Sequence, residues 1–240
     1  MIKFFRKIRQ NLLMVNKTGK YLKYAVGEIA LVMIGILLAL QVNNWNENRK
    51  NQKELHNIYG QIIYDLENDI AELTENLNTY DSIKPVFDKV FTDSRTADLL
   101  DDGLSRLIAR SPQTNLNKTG INRLKSISAK DSLSQKLIEL YDLAENVLIL
   151  PTEKIIREEQ ILLANIYRDN YSWYPEWISK NIMKDNSSQE LQDYFVNSQE
   201  YRHYVISNYQ QIYNNYLPTL RIGIPEMKKI KQELKNKITE

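Results

Sequence analysis

Residues 24–45 read YAVGEIALVMIGILLALQVNNW: twelve consecutive apolar or glycine residues, Ile29 to Leu40, with Glu28 directly before them. A run of twelve is shorter than the roughly 20 residues of a membrane span. The wider window Ala25 to Val42 has eighteen residues, ten of them Leu, Ile or Val. As a helix it is about 27 Å long, and those ten contribute about −3 to −6 kcal/mol to insertion. An acid at the bilayer centre costs about +3 kcal/mol on the same scale and less near the edge. Glu28 lies about 9 Å from a midplane set at Ile34, within reach of the interface or Lys23. Insertion wins, and Tyr21, Tyr24 and Trp45 flank the segment as interfacial aromatics do.

Charge sets the expected orientation. The chain has 240 residues and a net charge of +2, but residues 1–24 hold seven Lys or Arg and no acid, so the remainder carries −5. The positive-inside rule puts 1–24 in the cytoplasm and the rest outside, the periplasm in a Gram-negative cell. A cleaved signal peptide has a shorter apolar core and an A-x-A-like site; Ala39-Leu40-Gln41 ends in the wrong residue. A pilin-like leader sets its acid several residues beyond the processing site, whereas Glu28 follows Gly27 directly.

Within the span, Tyr24, Gly27, Glu28, Leu31, Gly35, Ala39 and Val42 share one helical face. Gly35 and Ala39 form a small-xxx-small pair that lets helices approach closely. Two readings stand: Gly27, Glu28, Gly35 and Ala39 form a self-association seam, or Glu28 snorkels to the interface. In the head, Phe5, Ile8, Leu12 and Val15 recur at helical spacing among Lys3, Arg6, Lys7 and Arg9. Such a basic amphipathic segment contacts lipid headgroups.

The stretches MIKFFRKIRQNLL (1–13) and KYLKYAVGEIALVMIGILLALQVNNWNENR (20–49) together resemble the start of a family of small single-pass inner-membrane proteins of unknown function, common in flavobacteria and other Bacteroidota. A weaker likeness lies in TGINRLKSISAKDSLSQKLIELYD (119–142), where Ile127 stands at a position that relatives often fill with glycine. The resemblance implies a bacterial inner-membrane protein and brings no activity, cofactor or catalytic residue.

The body reads as all-α. Leu55, Ile58, Ile62, Leu66, Ile70, Leu73, Leu77 and Tyr80 step by three or four, a stripe with coiled-coil character, and Pro85 is expected to close that helix. Short helices are expected at 96–110 and 118–126. Asp131 is expected to cap a longer one, with Leu133, Leu137, Leu140, Tyr141 and Ala144 buried. Pro151 interrupts it before Ile155, Ile156, Ile161 and Leu162. Ser187 and Glu190 suggest a capping box opening a helix to about Tyr216, and Pro225 suits the first turn of a last helix with Met227, Ile230, Leu234 and Ile238 as its stripe. The expected organisation is a cytoplasmic segment 1–24, a membrane helix 25–45, a stalk 46–84, and an extracytoplasmic helical bundle 85–240 packing with the stalk.

Few features point to chemistry. There are no cysteines, which excludes thiol catalysis and disulfides. The seven glycines are scattered, with no phosphate-binding loop. His56 and His203 lack metal-ligand spacing. Asp65, Glu67, Asp69 and Glu72 read as a solvated helix face rather than a cation site. Tyr171, Trp173, Tyr174 and Trp177 form an aromatic loop that is either a partner or ligand surface or a satellite core. The tyrosines from Tyr194 to Tyr216 read as packing. No catalytic residue, cofactor or metal is expected, and no nucleic-acid role. The leading expectation is a non-enzymatic anchored scaffold, in contact with the bilayer, further copies of itself, and a membrane or periplasmic protein. The alternative is a periplasmic ligand-sensing bundle acting through a partner.

Overall fold

The computed structural model describes residues 18–127, 131–183 and 188–239, with the side chains of 18–21, 24 and 180–183 left out. The basic head, with Lys3, Arg6, Lys7 and Arg9, lies outside the described residues. The fold is all-α, with no strand among the described residues. It divides into two units, Met1–Leu55 and His56–Glu240; the division falls inside the expected stalk 46–84.

Helix α1 runs Thr18–Phe91 without a break and belongs to both units. Its stripe is buried as the spacing requires: Ile58, Ile62, Leu66, Ile70, Leu73 and Tyr80 line the core, Leu55 and Leu77 its margin. The expected stop at Pro85 is incorrect, because Pro85 is exposed and the helix passes through it. A proline removes one backbone bond and crowds the preceding turn. Val86, Phe87 and Val90, all buried on the opposite side, hold the last turns in place.

The expected helix at 96–110 is instead two 3-10 turns, Ala97–Leu100 and Leu104–Arg106, separated by Gly103 at φ 99°. That left-handed residue ends one turn and starts the next. An irregular strip leads to α2 (Thr119–Ser126) and α3 (Ser132–Leu143). Asp131 caps α3 as expected, accepting from the Ser134 N–H. Leu137, Tyr141 and Ala144 are buried, while Leu133 and Leu140 are half-buried.

α3 passes through a π-helical turn, Ala144–Leu148, into α4 (Leu150–Asn170), with Pro151 in its first turn. α4 buries Glu153, Ile156, Leu163 and Tyr167; Ile155, Ile161 and Leu162, expected to pack, are exposed. α5 spans Tyr174–Met183, α6 Gln189–Asn197 and α7 Gln199–Tyr209. The cap of α6 is Ser188, whose side chain accepts from the Leu191 N–H; Ser187 lies outside the described residues, and Glu190 accepts from the Ser172 hydroxyl. The helix expected to reach Tyr216 breaks at Ser198, which caps α7 by accepting from Tyr201 N–H. Arg95, buried, donates to the carbonyls of Phe195 and Ser198 at that break, the favoured place for a cation.

α7 widens into a second π-helical segment, Gln210–Tyr216, then continues as α8 (Leu217–Thr239). Pro225 is inside α8 rather than at its start, again on the solvent side. Met227, Ile230 and Leu234 are buried, and Ile238 is half-buried. Ion pairs join α8 to α1: Arg221 to Asp81 at 2.7 Å and Lys235 to Glu67 at 3.0 Å.

Candidate interaction surfaces and a buried carboxylate ladder

The two units present opposite chemistry. In the first, the large apolar side chains of α1 from Val26 to Val42 are exposed: Leu31 by 68%, Ile34 by 54% and Leu37 by 61%. A soluble monomer rarely exposes so long an apolar surface. α1 is the one helix among the described residues that is long and apolar enough to cross a membrane. A Cβ at Gly27 or Gly35 would meet nothing within 4 Å, so no packing inside this chain uses their small size. Glu28 is half-buried and Ala39 exposed. At the far end Trp45 is exposed, with the Arg49 guanidinium 5.9 Å from its ring.

In the second unit α1 buries acids. Asp65 and Asp69, expected on a solvated face, are 2% and 0% exposed. They are buried because the irregular strip after Arg110 lies along them and supplies donors. Asp65 accepts from the Gly120 N–H at 2.8 Å and from Gln61. Asp69 accepts from the Asn117 N–H at 2.9 Å, its side-chain amide, and the Tyr141 hydroxyl. Glu72 accepts from the Asn115 N–H. From α4, buried Glu153 accepts from the Thr114 N–H and hydroxyl and from the Tyr216 hydroxyl. Four carboxylates therefore bind the amides of Thr114, Asn115 and Asn117 in the strip and of Gly120 in the first turn of α2, groups that no helix or sheet ladder serves. Charge-assisted bonds of this kind are the strong ones.

Gly120 is required where the strip meets α1: a Cβ there would stand 2.5 Å from Ile62 Cγ1 and 2.9 Å from the Ile62 backbone nitrogen. Burial pushes the Tyr141 hydroxyl far above its ordinary value, and Asp69 beside it pushes the same way, so Tyr141 remains a donor. Burial and then Glu153 do the same to Tyr216. For Asp131, burial would raise the carboxyl, but hydrogen bonds from Ser134, Tyr59 and Lys237 outweigh it and bring it down to about 2.

Of the two readings of the aromatic stretch, burial favours the satellite core: Trp173 and Trp177 are 3% and 4% exposed. Both ring centroids lie within 6 Å of Tyr167's, and the Trp177 indole donates to the Ser105 carbonyl. Tyr171 and Tyr174 are half-buried at the rim, the Tyr171 hydroxyl donating to Glu200. Of the later tyrosines, Tyr201, Tyr213 and Tyr216 are core.

Two π-helical segments, absent from the sequence reading, flank one groove. Pro151 and Pro218 follow them closely, and widening a turn accommodates a residue that lacks a donor. Between the segments lies a mainly apolar groove of about 580 Å³, with Val147, Leu148, Pro218 and Ile222 among its walls. Ile222 is 71% exposed and Val147 58%. The signal for this feature is the pair Leu150-Pro151 and Leu217-Pro218, each closing a helical run without a turn sequence.

The model of a family of unknown function, DUF6090, matches residues 28–91. The match starts at Glu28 and ends with α1, so it takes in the apolar segment and Asp65, Asp69 and Glu72. No curated protein and no solved structure matches the chain.

Proposed function

We propose that the chain is a non-enzymatic, membrane-anchored helical interaction module. Residues 25–45 cross a bacterial inner membrane once, residues 1–24 face the cytoplasm, and the unit His56–Glu240 stands in the periplasm. Copies associate through Gly27, Glu28, Gly35 and Ala39, and the module gathers a membrane or periplasmic protein. The exposed apolar surface of Ala25–Val42 carries this reading, since a bilayer is the solvent that accepts it. The buried acids Asp65, Asp69 and Glu153 each hold backbone, hydroxyl or amide donors, which suits a structural rather than a catalytic assignment.

Single cysteines at Gly35 and Ala39 test the association in native membranes. Crosslinked dimers are expected, weakened by Glu28→Ala. Monomers throughout, with Glu28→Ala silent, would remove self-association from the reading. A reporter enzyme fused after Trp45 tests orientation, and activity on the cytoplasmic side would reverse it. A second reading, a ligand-sensing bundle acting through a partner, is favoured by an arginine-rimmed cavity in the second unit.

A further inference from the structure

That cavity lies away from the ladder and the groove. It has a volume of about 550 Å³ and opens between the 3-10 turns, α4 and the start of α5. Its floor is apolar, with Leu163 and Trp177 in it, both buried. Arg106, Arg110 and Arg157 line its mouth, all exposed. Several cations elsewhere in this unit meet acids: Arg221 has Asp81, Lys118 has Glu145, Lys125 has Asp142 and Lys235 has Glu67. No carboxylate is among the residues lining this cavity, and none of the ion pairs between described residues includes these three arginines.

A second feature lies beside the same space. Gln160, also in the lining, has its side-chain Nε2 buried with no acceptor. A buried amide donor without a partner costs about 1–3 kcal/mol, a cost that turning the amide toward a ligand oxygen in the cavity would relieve. Trp177 cannot serve the amide, because its indole is a donor already bonded to the Ser105 carbonyl. The Arg106 guanidinium lies over Gly103, whose φ of 99° would strain any other residue there.

We propose that this cavity binds an amphipathic anion, a carboxylate or phosphate group joined to an apolar body. The anionic group sits among Arg106, Arg110 and Arg157, an oxygen accepts from Gln160 Nε2 once that amide turns into the cavity, and the apolar part lies on Leu163 and Trp177. Planar guanidinium groups suit carboxylate and phosphate oxygens through paired bonds. A cavity of this volume is in the range of small-molecule sites. The assignment does not depend on self-association of the membrane helix.

The test uses the full chain in nanodiscs of zwitterionic lipid, with 4-phenylbutyrate as the probe and 4-phenylbutanol as its uncharged match. Calorimetric titration is expected to show saturable binding of the acid and at least about tenfold weaker binding of the alcohol, the worth of a hydrogen bond to a charged group. Arg110→Gln and Arg157→Gln should each weaken the acid about tenfold, and Gln160→Glu should abolish binding by setting a like charge against it. The two arginines are exposed, so these variants are expected to melt with the parent. Equal binding of acid and alcohol, or affinities unchanged in all three variants, would overturn the proposal. Repeating the titration with anionic lipid in the disc separates the sources. Competition by the lipid assigns a headgroup, and its absence assigns a free anion; either result upholds the site.

Discussion

One helix, α1, obeys two opposite rules along its length. From Val26 to Val42 it turns Leu, Ile and Val outward. From Ile58 to Val90 it turns the same residue types inward and takes two aspartates in with them. The lesson is that the apolar pattern reports the solvent a face must meet, while the fate of a polar residue depends on what lies opposite. Asp69, in the second stretch, is taken inward because three donors meet it there.

The comparison can be broken at several points. Asp69→Leu keeps the helix and suits the stripe, yet it strands an amide N–H, a side-chain amide and a hydroxyl. The expected loss is about 4 kcal/mol of stability, read by denaturant unfolding of the full chain in nanodiscs. An unchanged midpoint would mean that water replaces the carboxylate. Ile34→Asp makes the converse change in the first stretch. It should cost about 3 kcal/mol of insertion and shift protein out of carbonate-washed membranes; full retention would contradict a span centred at Ile34. Gly120→Ala drives a methyl into Ile62 and should lower stability by about 2 kcal/mol, a drop of several degrees in melting temperature.

The smallest effect depends on pH. The Asp131 carboxyl is depressed in the folded state, so its stabilisation is complete above its unfolded value, near 4, and is lost as pH falls toward 2. Asp131→Asn should flatten stability against pH across that window: the variant is about 1–2 kcal/mol less stable than the parent at pH 7, and the two converge toward pH 2. A parent and variant with parallel curves below pH 4 would exclude this role.

The α1 stripe and the apolar segment were legible because each repeats one residue class over many turns. The cap at Asp131 was legible because it depends on residues adjacent in sequence. The inward turn of Asp65 and Asp69 was not, because their donors come from about fifty residues later and from a strip with no periodicity. A clue did exist: Ile62, Asp65, Asp69 and Leu73 also step by three and four, so the acids share the buried face. Pro85 and Pro225 misled for a related reason. A proline ends a helix only when the turns beyond it have nothing to bury, and Val86, Phe87, Met227 and Ile230 do. For Trp173 and Trp177 the sequence left a surface and a satellite core open, because aromatic density alone does not separate them; both rings are buried beside Tyr167.

The ladder also acts as a ruler. Acids at 65, 69 and 72 of a rigid helix meet amides at 120, 117 and 115, counted backwards along the strip. The spacing on one side is fixed by helical rise, so the other side cannot gain or lose a residue without every later rung missing its mark. A segment that looks like an ordinary surface connection is thereby locked in length, and the buried amides of Thr114 and Gly120 belong with the slowly exchanging ones of the core.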